Sequence, residues 1–215
     1  YVLQLLEPIG HFGPVAQIHE NSVKYYALPP PPDPEVDNNL PHFPIQLPVY
    51  KESLELTIAP SIFSIKKAMQ TYARQGGTSA IFVCDDGLRL IPEKDRNERI
   101  QFYANHNIGW VARPRHDSKE GGFKRRGKFK KASNMNYGLT LSMKLERHLQ
   151  TLLESQEERD SGEDLEKKAM NLAIEEGYRE SGYKFKPKAS HPSSLRMGAI
   201  ILIIDADTVV PEDCF

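Results

Sequence analysis

The chain has 215 residues, 39% of them hydrophobic and 27% charged, with a formal net charge of −1. This length suits one domain with a core of ordinary size. The balanced charge excludes a global field that would draw the chain to nucleic acid or to an anionic membrane. Because no apolar run reaches the roughly 18–20 residues that span a bilayer, we expect a soluble, cytosol-facing chain. Cys84 and Cys214 lack the spacing of a metal cluster, which favours reduced thiols.

The first part of the chain is weakly patterned and rich in proline. Residues 29–34 read PPPPDP, which is typical of an extended polyproline II spacer. We therefore predict a linker over residues 1–42 and a folded domain over 43–215. Since the chain starts at Tyr1 and ends directly after a predicted central strand, we expect it to be part of a longer protein.

The folded part begins with strands and helices in alternation. Residues 43–50 predict a strand, and Ile62, Ile65, Met69 and Tyr72 then fall on one face of a helix that ends at residues 76–77. A continuous apolar strand follows at 80–84. A polar helix over Glu93–Asn105 and a short strand at 108–112 precede a glycine-rich basic loop at 121–131.

The second half predicts two helices and one strand. The first helix begins near Ser133 and carries an apolar face of Met135, Leu139, Met143, Leu149, Leu152 and Leu153. After a charged loop at 154–163, Ser161 and Asp164 form a potential capping box for a helix through Glu176. Residues 184–194 predict a loop, and residues 199–204 (AIILII) predict the most strongly buried strand.

Strands that alternate with helices imply an α/β fold with parallel pairing and right-handed crossovers. Ligands of such sheets lie beyond the carboxyl ends of the strands. The unusual polar residues of this chain follow the predicted strands. They are Tyr50 and Glu52, Asp85 and Asp86, Arg113, and Asp205 and Asp207.

Asp205 and Asp207 are the sharpest feature, because two carboxylates one residue apart follow six apolar residues. Mg²⁺ or Mn²⁺ is commonly shared between carboxylates and substrate phosphates, so the pair predicts a metal site. The alternative is a strand exit with two solvated aspartates, since so short a motif also occurs by chance. Asp85, Asp86 and Gly87 repeat the pattern, although Asp-Gly is also a common turn pair.

The basic run at 124–131 holds six cationic side chains in eight residues. It predicts a loop that grips phosphate, while a nucleic-acid backbone site or, for residues 124–128, a solvated loop are the alternatives. The chain has no P-loop and no nucleophile elbow. Its histidines are scattered and favour surface positions.

Five segments occur in a characteristic order: LPVYKE (47–52), VCDDG (83–87), WVARP (110–114), KASNMNY (131–137) and IIDAD (203–207). Together they resemble the family-2 glycosyltransferases, in particular the cellulose-synthase-like branch with the Rossmann-like GT-A fold, and the layout is similar to that of fungal members. The resemblance covers residues 43–215 and implies a mostly parallel sheet with flanking helices that stops after the strand before Asp205. Ser133 departs from it, standing where the family has glycine, and a helical acidic insertion occupies about residues 146–196.

The resemblance assigns roles to individual residues. It implies that a nucleotide, the UDP of a UDP-sugar, contacts Pro48, Tyr50, Glu52, Asp85 and Asp86. The diphosphate would contact Arg113, Lys131 and Asn134, and Mg²⁺ or Mn²⁺ would bind Asp205 and Asp207.

The family's catalytic base follows the metal-binding strand, so the resemblance places that base beyond Phe215. It further implies an inverting glycosyltransferase, a saccharide or polysaccharide acceptor, no nucleic-acid partner and an integral membrane protein at full length. Two other functions remain open. A nucleotidyltransferase-like enzyme would need a glycine-rich loop after the first strand, where this chain has residues 50–53 without glycine. A non-catalytic module could use the basic loop for binding.

Overall fold

The computed structural model describes residues 31–127, 130–155, 162–198 and 200–214. It divides the chain into two compact units, Tyr1–Asn39 and Leu40–Phe215. The described part of the first unit contains a short helix, α1 (Pro34–Asp37), whose Glu35 N–H donates to the Asp33 carboxylate. Residues 1–30 of the predicted linker, which include the first two prolines of the run, lie outside the described residues.

A five-stranded sheet forms the centre of the second unit. Its strands are β1 (His42–Val49), β2 (Thr78–Asp85), β3 (Gly109–Ala112), β4 (Lys188–Ser190) and β5 (Leu202–Ile203), in the spatial order β4-β3-β2-β1-β5. All neighbours are parallel except β3 and β4. The predicted α/β fold with a mostly parallel sheet is confirmed. The antiparallel strand β4 falls inside the predicted loop at 184–194, so that part of the prediction is wrong.

Helices cover both faces of this sheet. A π-helical turn (Leu54–Ile58) leads into α2 (Ala59–Arg74), and α3 (Glu93–Asn105), α4 (Lys131–Glu154) and α5 (Gly162–Glu180) follow along the chain. Because side chains alternate along a strand, Ile81 and Val83 of β2 pack in the core that α2 and α3 cover, whereas Phe82 and Cys84 pack against α4 and α5. A strand covered on both faces reads as a continuous apolar run.

The buried face of α4 differs from the predicted one. Leu141, Leu145 and Leu149 are buried, as is Gly138, while Met143 is 65% and Leu153 58% exposed. A side chain at residue 138 would stand 2.7 Å from Cys84 Sγ, so glycine lets the helix approach β2 closely. The predicted face omitted Leu141 and Leu145, and the stripe that contacts the sheet also includes small and polar positions.

Strand β5 is much shorter than predicted, and in the described sheet it lies at an edge, next to β1. Ile200 is 49% and Ile203 54% exposed, whereas Ile204 and Ala206 are buried. In the described residues, the predicted burial on both faces is present at Ile204 but not at Ile200 or Ile203. An apolar run of six residues was consistent with it, but only alternate residues pack in the core. Ala199 lies outside the described residues.

Helix α5 extends four residues beyond the predicted end at Glu176. The predicted capping box cannot be compared, because Ser161 lies outside the described residues. Within the described part of the chain, no helix combines the length and the apolar character needed to cross a membrane.

Candidate functional site

A cleft of about 750 Å³ opens at the carboxyl ends of β1 and β5. The chain runs from β1 outward through β2 to β3, and later returns to the other side of β1 as β5. The strand order therefore reverses at β1. Such a reversal leaves a crevice between neighbouring strands, and open α/β sheets bind their ligands there.

Most of the sequence-predicted site residues line this cleft, although they come from four separate segments. Those that line it are Pro48, Tyr50, Glu52, Asp86, Lys131, Asn134, Asp205 and Asp207. Asp85 and Arg113 do not line it, since they are 0% and 2% exposed. The structure thus brings eight of the ten residues to one surface and places the other two beneath it.

Asp85 is held by donors on every side. Its carboxylate accepts from Arg99 Nη1 at 3.1 Å, from the Tyr103 hydroxyl at 2.8 Å and from the Gly87 N–H at 2.8 Å. Burial raises the pKa of Asp85, while Arg99 and Tyr103 oppose that shift. The carboxylate thus neutralises a buried guanidinium and has no surface to offer a ligand.

Arg99 also fixes the loop after β1. Its Nη1 donates to Tyr50 O and its Nη2 donates to Glu52 O at 2.6 Å. The Glu52 carboxylate in turn accepts from the Tyr50 N–H. A side chain on Gly87 would stand 1.6 Å from Tyr50 O, so glycine is required where the loops after β1 and β2 meet.

Asp86 is shared by two buried arginines. Arg113 donates from Nε at 2.8 Å and from Nη2 at 2.8 Å, a bidentate arrangement, and Arg125 Nη1 lies 3.3 Å away. Two guanidiniums beside one carboxylate leave an excess positive charge at this wall of the cleft. The Asp86 side chain is 7% exposed, so only a small part of it remains open to a ligand.

Arg113 also links Asp86 to the start of α4. It donates to the Ser133 hydroxyl and to Lys130 O, both at 2.7 Å. Lys130 has a left-handed backbone with φ of 58°, and no side chain in the described part of the chain caps the helix. The first N–H groups of α4 therefore lack a capping side chain, and a helix N-terminus of this kind favours anions.

Asn134 and Gln46 tie the same helix end to the sheet. The Asn134 amide donates to Cys84 O at 2.7 Å, and the Gln46 amide donates to Met135 O at 3.0 Å. Both side chains are buried. These bonds fix where the N-terminus of α4, and with it Lys131, lies relative to the strand ends.

Asp205 and Asp207 extend from the segment after β5. Burial alternates here, with Ile204 and Ala206 packed in the core and both aspartates exposed. Since alternate residues share a face, the two carboxylates reach the cleft together. The Lys131 ammonium forms an ion pair with Asp205 across it, with side chains 41% and 51% exposed. The acidic pair therefore faces the basic start of α4.

Asp205 and Asp207 suit a divalent ion that takes some of its ligands from a bound substrate. The pair offers carboxylate oxygens, which Mg²⁺ and Mn²⁺ prefer, and Asp205 already holds one cation, the Lys131 ammonium. No cluster of three or more His, Cys, Asp or Glu residues forms a closed metal site in the described ranges. The donor set thus suits a metal that takes its remaining ligands from phosphate and water.

Sequence reasoning missed Lys51, Arg115 and His116, which also line the cleft. Arg125 and Lys130, which belong to the predicted phosphate-gripping run, line it as well. The solvated loop considered for residues 124–128 is wrong at Arg125, which is 5% exposed and whose N–H donates to His116 Nδ1. The run of cations was evident in the sequence, but the pairing of Arg125 with Asp86 was not. Lys128 and Phe129 lie outside the described residues.

Comparisons of the chain with protein-family models, with curated proteins and with solved structures give no match. The functional argument therefore depends on the geometry of the cleft and on the sequence motifs.

Proposed function

We propose that this chain is the donor-binding region of an inverting, metal-dependent glycosyltransferase with the GT-A fold. The observation that carries the proposal is the meeting of Asp205 and Asp207 with the uncapped, basic start of α4 across one cleft. A nucleoside diphosphate and a divalent ion together match such a surface, because the ion complements the carboxylates and the phosphates complement the cations and the helix N-terminus.

The nucleoside would occupy the part of the cleft formed by the loop after β1. Tyr50 is 49% exposed there and offers a ring against which a base can stack. Glu52 and Pro48 line the same part of the cleft. Asp86 contributes its remaining acceptor surface, while Asp85 acts through Arg99 as a positioning residue. The preference for UDP follows from the resemblance to the family.

The diphosphate would bind at the start of α4. Lys131 and Lys130 supply positive charge, and the uncapped N–H groups of the helix supply donors. Arg113 is too deeply buried to touch a ligand, so we assign it the task of fixing Lys130 and Ser133. Asn134 fixes the same end from the sheet side.

Asp205 and Asp207 would hold Mg²⁺ or Mn²⁺. When bound, the metal neutralises the diphosphate leaving group as a Lewis acid. Lys131, released from Asp205, would then contact phosphate. Inversion needs a base that deprotonates the acceptor hydroxyl, and we expect this base beyond Phe215. A saccharide acceptor and membrane association of the full-length protein are further parts of the proposal.

Calorimetry of UDP binding in the presence of Mn²⁺ tests the proposal. We expect saturable binding by the wild-type chain, and a loss of about tenfold or more in Asp207→Ala, because a carboxylate–metal contact is removed. Asp213→Ala is the matched control, since Asp213 is exposed six residues further on and does not line the cleft. Equal affinity of Asp207→Ala and wild type, or no binding by the folded wild-type chain, would contradict the proposal.

A further inference from the structure

A second cavity of about 600 Å³ lies between α5 and the edge strand β4. Its walls come from β3 and the residues after it, from the turn after β2, from α5, and from the segment that leads into β4. Neither Asp205 and Asp207 nor the start of α4 contributes to it. Trp110 and Pro114 belong to one of the sequence motifs that support the proposed function. The other residues that line this cavity belong to none of those motifs.

The charge of this cavity is strongly unbalanced. Five cationic side chains line it, against one carboxylate, that of Glu175. The cations are Arg89, Arg115, Lys184, Lys186 and Lys188. Glu175 forms an ion pair with Lys186. Among the described residues, the other four cations have no carboxylate within ion-pair distance.

Arg89 and Lys188 are the two cations of this cavity whose surroundings most favour an anionic ligand. Arg89 donates from Nη2 to Lys186 O, but its Nε is buried without a hydrogen-bond partner among the residues that the structure describes. Burial lowers the pKa of Arg89. The Arg89 guanidinium lowers the pKa of Lys188, and burial and Arg96 shift that pKa in the same direction. Like charges are therefore held together, and a bound anion would relieve their repulsion.

Apolar side chains form the rest of the wall. Trp110 of β3 is partly buried, and Ile174, Phe185 and Pro187 line the cavity with it. Phe185 is held in place by an edge-to-face contact with Phe123, with ring centroids 5.4 Å apart. A site with an aromatic wall and a few convergent charges favours a ligand that has both an apolar body and an anionic end.

We propose that this cavity binds a small organic phosphate ester, with its phosphoryl group on Arg89, Lys184 and Lys188 and its apolar body against Trp110. An inorganic anion alone would leave the aromatic wall without a partner. Two sources share the required chemistry, a nucleoside monophosphate with a planar body and an isoprenyl monophosphate with a flexible one. Because Arg115 lines both this cavity and the donor cleft, a ligand bound here would lie beside the donor site.

Trp110 is the sole tryptophan of the chain, so its fluorescence reports on this cavity. The test is a titration of the wild-type chain with AMP, with geranyl phosphate and with inorganic phosphate, in EDTA to remove divalent ions. We expect a saturable change in Trp110 fluorescence with one of the two esters, and the ester that binds identifies the body that the cavity accepts. Inorganic phosphate should bind at least about tenfold more weakly, since it gains no contact with the apolar wall.

Two variants locate the binding site. Lys184→Gln combined with Lys188→Gln should weaken ester binding by about tenfold or more, because two charge-assisted contacts are lost. Both lysines are exposed, so the fold should persist, and circular dichroism checks this. Lys67→Gln is the control, since Lys67 is an exposed lysine on α2 that pairs with Glu212. Lys131→Ala should leave ester binding unchanged, because Lys131 lines the donor cleft and not this cavity, which separates this inference from the proposed function.

Three results would overturn the inference. The first is the absence of a saturable response to either ester. The second is equal affinity of the double variant and the wild type. The third is loss of ester binding in Lys131→Ala, which would place the ligand in the donor cleft instead.

Discussion

The carboxyl ends of β2 and β5 carry the same sequence signature, an acidic pair directly after an apolar run, but they meet opposite environments. Asp85 and Asp86 are 0% and 5% exposed and are enclosed by arginines. Asp205 and Asp207 are exposed in the cleft, and the ion pair of Asp205 is with an exposed lysine. The first pair holds loops in place, whereas the second remains open to a ligand.

The difference arises from the partners that the fold delivers to each pair. Arg99 lies 14 residues after Asp85 on α3, and Arg113 lies 27 residues after Asp86 at the end of β3. Strand β2 is central, so helices and loops close over its end. Strand β5 lies at the edge of the described sheet, and its end stays open. Carboxylates that follow similar apolar runs are thus enclosed or left exposed through long-range packing.

The largest expected effect on stability is that of Asp85→Asn. The substitution leaves the buried Arg99 guanidinium without its anion, and breaking a buried pair on one side costs about 3–5 kcal/mol. Urea denaturation measures the free energy of unfolding. Asp207→Asn is the matched change at the exposed pair and should alter that free energy by less than about 0.5 kcal/mol. Similar values for the two variants would abolish the distinction between the pairs.

Gly87→Ala should have the next largest effect. The added methyl group would stand 1.6 Å from Tyr50 O, so the loops after β1 and β2 must separate, at a cost of about 1–3 kcal/mol. Gly177→Ala on α5 should cost less, because its nearest neighbour is Pro187 at 3.1 Å and alanine favours a helix. Thermal denaturation of both variants tests this ranking, and the reverse order would show that the loops are not in close contact.

Glu176 on α5 provides an intermediate case, a carboxylate that is 13% exposed and paired. A hydrogen bond from Arg147 lowers its pKa to about 2 from an ordinary value of 4.5. Because the folded-state pKa is lowered, its stabilising effect is complete above about pH 4.5 and is lost as the pH falls towards 2. We expect Glu176→Gln to reduce stability by about 1 kcal/mol at pH 7.

The measurement is the free energy of unfolding of wild type and Glu176→Gln across that pH range. The two curves should converge at the acid end, since the wild-type carboxylate is then protonated. A difference that stays constant from pH 7 down to pH 2 would contradict the role given to ionised Glu176.

Lys131→Ala should change stability least. Its ion pair with Asp205 is about half exposed, so the free energy of unfolding should shift by less than about 0.5 kcal/mol. UDP affinity in Mn²⁺ should nevertheless fall by about tenfold, because a charged donor to phosphate is lost. Calorimetry and urea denaturation of the same preparation separate the two effects. Unchanged UDP affinity would remove Lys131 from the proposed diphosphate site.

The sequence predicted those features that depend on neighbouring residues. The bounds of α3 coincide with the prediction, because Pro92 precedes a run of helix-forming residues. Strands β1, β2 and β3 were recognisable from their apolar runs. Strand β4 was not, since its three residues become a strand only by pairing with β3. The edge position of β5 likewise depends on pairing that no local pattern encodes.

The candidate site was predictable to a similar extent. The motifs indicated which residues meet at the strand ends, and eight of them share one cleft. Their individual roles were not predictable, because the burial of Asp85 and Arg113 depends on distant partners. Arg125 was visible as one cation among many, and only the folded loop shows its contact with Asp86.

Metal uptake measured by electron paramagnetic resonance of Mn²⁺ tests the central claim most directly. Free Mn²⁺ is quantified in solutions of UDP with the wild-type chain, with Asp207→Asn and without protein. The account predicts that the wild-type chain lowers free Mn²⁺ below the level set by UDP alone, and that Asp207→Asn does not. Equal metal uptake by the two chains would contradict the assignment of the exposed acidic pair as the metal site.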